Sequence, residues 1–160
     1  MCCCVKQWRK LSGEVKVYGT IIEQPCSILN EEINIDFGTM TNKDLFRYNN
    51  EYRKFFIELE CDVGINDAVS VRFNSTNTSE NRQMLNLSAQ SQASGVGIKI
   101  QDASGRLLTF GEPSSSKEVI AGMNNLEYIA FVTGRSDSLV LSDIGLGTFE
   151  ASATFEIIYD

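Results

Sequence analysis

The C-terminal segment of this 160-residue chain reads GTFEASATFEIIYD from Gly147 to Asp160. Its odd positions are apolar and its even positions are mostly polar, which is the period of a β-strand with one face on a core. The apolar face would carry Phe149, Ala151, Ala153, Phe155, Ile157 and Tyr159. The ends of most domains fray unless they are tied into a sheet, so we expect another strand to pair with this segment or to cover it.

The composition indicates a single globular domain. Hydrophobic residues make up 42% of the chain and charged residues 22%, a balance typical of a protein with a sizeable core. The net charge of −7 argues against a nucleic-acid partner, because neutralising phosphates needs a basic patch. The chain has no histidine, which removes the commonest general base and the commonest zinc ligand. The sequence therefore predicts no enzyme, no cofactor and no metal site.

Strand-like alternation recurs along the chain in short segments that polar turns separate. These segments are Val15 to Ile21, Ile33 to Phe37, Phe55 to Cys61, Val69 to Phe73, Met84 to Leu87, Gly97 to Ile100, Leu107 to Phe110 and Leu126 to Val132. A hairpin turn is predicted at Asp102 to Gly105, and helical periodicity is confined to a turn near Asn42 to Phe46. Short strands at this spacing predict an all-β, immunoglobulin-type sandwich.

The five cysteines divide into a cluster at Cys2 to Cys4 and a separated pair, Cys26 and Cys61. Each cysteine of the pair lies in or beside a predicted strand, as expected for a disulfide between neighbouring strands in an oxidising compartment. The alternative is two buried free thiols, because cysteine is also a common small core residue. Residues 1–11 are too short and too polar for a signal peptide, and we interpret them as an atypical leader remnant or an artefact. Metal binding by the cluster is a weaker alternative, since adjacent side chains on an extended chain point to opposite faces.

Four motifs together resemble the subunits of chaperone-usher fimbriae of the type 1 and P kind. They are GTIIEQPC from Gly19 to Cys26, IELEC from Ile57 to Cys61, GVGIKIQD from Gly95 to Asp102 with Gly105 after it, and the C-terminal segment with its Gly147 and penultimate Tyr159. The resemblance covers roughly residues 12–160. INIDFG, residues 33–38, is similar to minor tip-associated subunits, so a minor or adaptor subunit is expected.

This resemblance implies an incomplete immunoglobulin-like β-sandwich that lacks its last strand and is completed by donor-strand exchange. Residues 12–22 would be the N-terminal donor strand, and residues 23–160 the pilin domain. The donor side chains would be Val15, Val17, Gly19 and Ile21. The acceptor groove, which also binds the chaperone, would be formed by Gly147, Phe149, Ala151, Ala153, Phe155, Ile157, Tyr159 and Asp160.

The resemblance also implies a function. The chain would be a structural subunit that polymerises into a surface pilus, with a periplasmic chaperone, an outer-membrane usher and neighbouring pilin subunits as partners. It would be exported through the periplasm and would meet a host glycan only through the assembled tip. The alternative function is a carbohydrate-binding tip adhesin, although such adhesins join a lectin domain to a pilin domain and this chain has room for the pilin domain alone.

Overall fold

The computed structural model describes residues 9–21, 25–46, 51–62, 68–135 and 143–159. Within these ranges the chain forms seven β-strands and one short helix. In chain order they are β1 (Cys26–Ile28), α1 (Asn42–Phe46), β2 (Tyr52–Cys61), β3 (Ala68–Asn74), β4 (Val96–Asp102), β5 (Lys117–Glu118), β6 (Gly122–Gly134) and β7 (Thr154–Tyr159). The predicted all-β class is confirmed, and α1 lies at the predicted helical turn.

The strands form two antiparallel sheets. One sheet has the order β1-β2-β6-β4 and the other has the order β5-β3-β7. The longest pairing joins β2 to β6, from Tyr52 opposite Phe131 to Cys61 opposite Gly122. In the second sheet β7 pairs with β3 from Thr154 opposite Asn74 to Tyr159 opposite Val69. The C-terminal strand therefore belongs to the smaller sheet.

The core lies between the two sheets, because alternate side chains of each sheet point inward. On β2 the buried residues are Phe55, Ile57, Leu59 and Cys61, and on β6 they are Leu126, Tyr128, Ala130 and Val132. From the other sheet, Val69, Val71 and Phe73 of β3 are buried against them. The ring of Phe73 packs edge-on against that of Tyr128 with centroids 5.2 Å apart. The aromatic contact joins the two sheets across the core.

The predicted disulfide between Cys26 and Cys61 is present. The two residues face each other in the register of β1 and β2, so the bond ties the short edge strand β1 to the long strand beside it. The alternative of two free thiols is therefore wrong. Cys2, Cys3 and Cys4 lie outside the described residues.

The strand predictions differ from the structure where a partner strand is missing. Residues 33–37 and 149–153 alternate in polarity but form no strand, because a strand needs a neighbour to take its backbone hydrogen bonds. The stretches around Leu85 and Leu107 form isolated bridges only. The predicted turn is confirmed, since the N–H of Gly105 donates to the carbonyl of Asp102 at 3.0 Å. β1 and β5 were not predicted, because strands of two or three residues carry too little alternation to be seen.

Candidate functional site

β7 is the last strand of its sheet, so one of its edges has no strand partner within the described residues. Its other edge is occupied along its whole length by β3. An unpaired edge presents a row of backbone N–H and C=O groups that can accept another strand. β7 therefore ends its sheet with an edge that is open to strand addition.

Within the described ranges, the residues just before β7 are also hydrogen-bonded on one side only. The N–H of Ser88 donates to the carbonyl of Glu150 at 2.8 Å, and the N–H of Gln92 donates to the carbonyl of Thr148 at 2.8 Å. The N–H of Glu150 in turn donates to Ser91 Oγ at 2.9 Å. In an extended chain the backbone groups of successive residues point to opposite edges. The odd-numbered residues from Phe149 to Ala153 therefore direct theirs to the other side.

Across from this segment lie residues 31–37, which have one apolar face and one polar face. Ile33 and Ile35 are half-buried against the core, and Phe37 is buried. The exposed residues of this stretch are Glu31, Glu32, Asn34 and Asp36. Asp36 Oδ1 accepts a hydrogen bond from the N–H of Gly38 at 2.8 Å, so a turn follows the stretch at once.

The two segments approach each other at both ends. At one end the hydroxyl of Tyr159 donates a hydrogen bond to the carbonyl of Cys26 at 3.0 Å. At the other end the rings of Phe37 and Phe149 lie 6.2 Å apart between centroids. We call the gap between residues 26–37 and residues 149–159 the cleft.

The cleft contains a cavity of about 810 Å³. Its floor is apolar and comes from both sheets and a loop: Phe55, Phe73, Leu85, Ile98, Ile100 and Ala130. A second cavity of about 340 Å³ continues past Phe37 and Phe149, which line both cavities, to the region of α1. Because folded cores have few voids larger than a water molecule, cavities of this size show that the packing between the two segments is incomplete.

The predicted acceptor residues fall into three groups in the structure. Phe149, Ala151, Ala153 and Phe155 are half-buried and line the larger cavity. Ile157 and Tyr159 are half-buried on β7, where they pack against the core beyond the cavity. Gly147 lines the second cavity, with a φ of +136° that favours glycine. Asp160 lies outside the described residues.

Half of the cleft was not among the predicted site residues. Ile28, Ile33, Ile35 and Phe37 form the wall opposite Phe149 to Phe155. The signal for this wall was present in the alternation of Ile33, Ile35 and Phe37. The floor residues carry no such signal, because a residue such as Ile98 looks like any other core position.

The predicted donor side chains lie outside the body of the protein. Residues 9–21 are exposed throughout and form no strand. Val17 is 91% exposed and Ile21 is fully exposed. A Cβ atom added at Gly19 would meet no heavy atom within 4 Å. This segment therefore fills no part of its own cleft.

Among the residues that the structure describes, every charged residue that lines the two cavities is acidic. They are Glu31, Glu32, Asp36 and Glu150. Further along β7, Glu156 accepts a hydrogen bond from Arg72 at 2.9 Å, which lowers the pKa of that carboxyl below its usual value. The rim of the cleft is therefore a region of negative charge above an apolar floor.

Two titratable groups away from the rim are also perturbed. Burial raises the pKa of the Tyr128 phenol in the core. Burial also acts to raise the pKa of Asp102, but hydrogen bonds from Ser104 and Arg106 outweigh it and leave this pKa below its usual value. Both groups belong to the scaffold, not to the cleft.

Neither a metal site nor a membrane helix is found in the described ranges. No three side chains of the kinds that bind metals come together there. The helix found there is also too short and too polar to cross a membrane.

Residues 15–160 match the family model described as "Fimbrial protein". The chain belongs to the fimbrial protein family. Among relatives of this fimbrial subunit, the major MR/P fimbria protein of Proteus mirabilis is 30% identical over 153 residues, covering 92% of this chain and 83% of that protein.

Solved structures agree with the family. The crystal structure of the P pilus rod subunit PapA matches with a TM-score of 0.71 and 25% identity, covering 86% of this chain and all of that one. The CupB6 tip adhesin from Pseudomonas aeruginosa matches with a TM-score of 0.64 at 20% identity, over 83% of this chain and 38% of that one, a likeness of fold alone. This fimbrial subunit therefore has the incomplete immunoglobulin-like sandwich that was predicted.

Membership of the family establishes the coarse function. The chain is a chaperone-usher fimbrial subunit, a structural protein of a surface fimbrium that polymerises with neighbouring subunits, and not an enzyme. The predicted family and the predicted absence of enzymatic activity are therefore confirmed.

Proposed function

We propose that this subunit joins the pilus by donor-strand exchange, with the cleft as acceptor and residues 12–22 as donor. The observation that carries the proposal is the cavity of about 810 Å³ beside the unpaired edge of β7. Residues 12–21 supply the complementary feature, an alternating apolar segment outside the body of the protein. Strand addition between pilins and their chaperones is an established mode of recognition at such edges.

The acceptor consists of Gly147, Phe149, Ala151, Ala153, Phe155, Ile157, Tyr159 and Asp160. Four of these residues line the larger cavity, which supports their role. The opposite wall, from Ile28 to Phe37, completes the acceptor. Residues 23–160 form the pilin domain, and residues 1–11 precede the donor.

Apolar burial drives the exchange. Val15, Val17 and Ile21 of the donor would each contribute about 1.5 to 3 kcal/mol when they leave water for the cleft. Backbone hydrogen bonds to the open edge of β7 would fix the register and direction of the donor strand, because each N–H and C=O needs a partner once it is buried. By the family resemblance, Gly19 would cross the cleft at the point where the donor strand brings no side chain.

A periplasmic chaperone would fill the cleft before another subunit does, and would deliver the subunit to the outer-membrane usher. An exposed apolar cleft invites aggregation, so a temporary strand is needed during export through the periplasm. The C-terminal carboxylate of Asp160 would bind basic residues of the chaperone and set the register of the strand.

The position in the fibre stays a prediction. The sequence predicts a minor or adaptor subunit, whereas the relatives reported above include a major fimbrial protein and a rod subunit.

The test uses the full chain purified with a periplasmic pilus chaperone. A synthetic peptide of residues 12–24 is added, and release of the chaperone is followed on native gels. We expect the peptide to displace the chaperone and to raise the unfolding temperature of the subunit. A peptide of the same composition in scrambled order is the control.

A chain that lacks residues 1–22 separates the acceptor role of the cleft from the donor role of the N-terminal segment. It should still bind the chaperone and accept the peptide, because its cleft is unchanged, but it should not add to the subunit ahead of it. If the peptide of residues 12–24 displaces the chaperone neither from this subunit nor from the subunit ahead of it, the donor assignment is wrong.

A further inference from the structure

The wall of the cleft opposite β7 leaves the backbone ladder soon after β1. β1 ends at Ile28, and the N–H of Leu29 still donates to the carbonyl of Glu58 at 2.8 Å. Beyond that point, within the described residues, no backbone hydrogen bond joins residues 30–40 to another main-chain group. The apolar side chains of the wall pack against the core, but apolar contact is non-directional. Polar side chains must therefore fix where the wall lies.

The side chain of Asn30 makes the first attachment. Its Nδ2 donates to the carbonyl of Phe56 at 2.8 Å, and its Oδ1 accepts a hydrogen bond from the N–H of Glu58 at 2.9 Å. If the register of β1 and β2 continued, these two groups of β2 would pair with the backbone of Glu31 and Leu29. The amide of Asn30 takes their place, so the main chain is free to leave β2 and run beside the cleft.

Arg53 makes the second attachment, at the far end of the wall. Its Nη2 donates to the carbonyl of Phe37 at 2.9 Å, and its Cζ lies 5.5 Å from the centroid of the Phe37 ring. The guanidinium is itself held in place, because Nη1 donates to the carbonyl of Tyr52 at 2.8 Å and pairs with the carboxylate of Glu51 at 3.4 Å. Arg53 therefore fixes both the backbone and the ring of Phe37.

Phe37 carries this attachment across the cleft. Its ring lies 6.2 Å from that of Phe149 between centroids, at the boundary of the two cavities. A strand that enters between two segments needs about 4.8 Å on each side, and N–H···O bonds form only at about 2.7 to 3.2 Å. A displacement of the wall by about 1 Å would break such bonds. The position of the wall therefore decides how well a strand fits the cleft.

We propose that Asn30 and Arg53 are positioning residues for strand acceptance, which hold the wall at one distance from β7. This inference rests on the proposed function, because it needs a strand that enters the cleft. Neither side chain lines either cavity of the cleft, so each acts through the wall. A wall that is fixed in advance spares the incoming strand the free-energy cost of ordering it.

The experiment measures two quantities for each variant of the full chain. They are the dissociation constant for a periplasmic pilus chaperone and the free energy of unfolding in urea without chaperone. We expect Arg53→Met and Asn30→Ala each to raise the dissociation constant about three- to tenfold, the factor that corresponds to one hydrogen bond. Arg53→Lys keeps a donor for the carbonyl of Phe37 and should recover much of the affinity.

The matched controls are Lys54→Met and Asn125→Ala. They change exposed residues of the same types of strand position on β2 and β6, away from the wall, and should leave the dissociation constant unchanged. A purely structural role for Asn30 and Arg53 predicts a lower free energy of unfolding with an unchanged dissociation constant, because free and bound subunit would lose the same hydrogen bond. That result would overturn the inference. Arg53→Lys that binds no better than Arg53→Met would overturn it for Arg53.

The variant Ala153→Arg separates this inference from the proposed function. If the wild type does not bind the chaperone, or if folded Ala153→Arg binds it as tightly as the wild type, the cleft is not the acceptor and the proposed function fails. If only Ala153→Arg loses the chaperone while the variants at Asn30 and Arg53 bind normally, the positioning inference alone fails. Should Arg53→Met not fold, Asn30→Ala and Arg53→Lys test the inference by the same two measurements.

Discussion

The hydroxyl of Tyr159 donates a hydrogen bond to the backbone carbonyl of Cys26 at 3.0 Å. The bond joins the last described residue of the C-terminal strand to the first residue of β1, which the disulfide in turn ties to β2. It therefore connects the two walls of the cleft at the end where the cavity stops.

Removing this hydroxyl should loosen that end of the cleft. We expect Tyr159→Phe to lower the free energy of unfolding by about 1 kcal/mol, the net contribution of one hydrogen bond. Urea denaturation measures the change. Tyr52→Phe, at an exposed position on β2, is the control, and equal stabilities of the two variants would show that the bond contributes nothing.

Reducing the Cys26–Cys61 disulfide should destabilise the subunit strongly. The bond closes a loop with a sequence separation of 35, so its loss should lower the free energy of unfolding by about 3 to 4 kcal/mol. Denaturation with and without dithiothreitol measures the difference. A chain with Cys2, Cys3 and Cys4 changed to serine is the control, and dithiothreitol should lower its free energy of unfolding by the same amount. A non-reducing peptide map that pairs Cys26 with this cluster would contradict the prediction.

Filling the cleft should block strand acceptance. Ala153 is half-buried and lines the larger cavity, so Ala153→Arg would occupy the space and leave an unpaired charge on an apolar floor. We expect co-purification with the chaperone to be lost. Ser152→Arg, at the exposed neighbouring residue, should be tolerated. Normal chaperone binding by folded Ala153→Arg would show that Ala153 is not part of the acceptor.

A side chain at Gly19 should affect assembly and not folding. No heavy atom lies within 4 Å of a Cβ at this position, so the unfolding temperature of Gly19→Leu should equal that of the wild type. Its addition to the subunit ahead of it, followed as SDS-resistant bands on unheated gels, should slow or stop, because the family resemblance gives the donor no side chain at this position. Thr20→Leu, which changes a residue predicted to face outward, is the control. Equal rates for both variants would mean that the donor register is different.

Asp102 should make stability fall in acid. Its pKa is lowered in the folded protein, so its contribution is present above the unfolded-state pKa of about 3.9 and is lost as the pH falls through the folded-state pKa. Asp102→Asn should therefore be less stable than the wild type at pH 7, and the difference should shrink below about pH 4. Asp62→Asn, at an exposed residue, is the control. A difference in stability that does not change with pH would show that it does not come from the ionised carboxylate of Asp102.

Alternation alone predicted where strands could form but not which of them would find a partner. The donor segment, the wall from Ile33 to Phe37 and the C-terminal strand all have a period of two residues. Of these three, within the part of the chain that the structure describes, only the last part of the C-terminal segment, β7, is paired with another strand. A pattern in sequence shows which face of a segment is apolar, whereas pairing depends on what lies beside it in space.

The sequence by itself determined the all-β class, the family resemblance, the disulfide pair and one wall of the cleft, because each depends on local periodicity or on short motifs. The tertiary structure decided how the wall from Ile28 to Phe37 faces the C-terminal segment and which residues, such as Ile98 and Ala130, form the floor. It also decided the acidic rim, where Glu31 and Glu150 lie far apart in sequence. These features arise when residues distant along the chain are brought together by packing, and no local pattern records that arrangement.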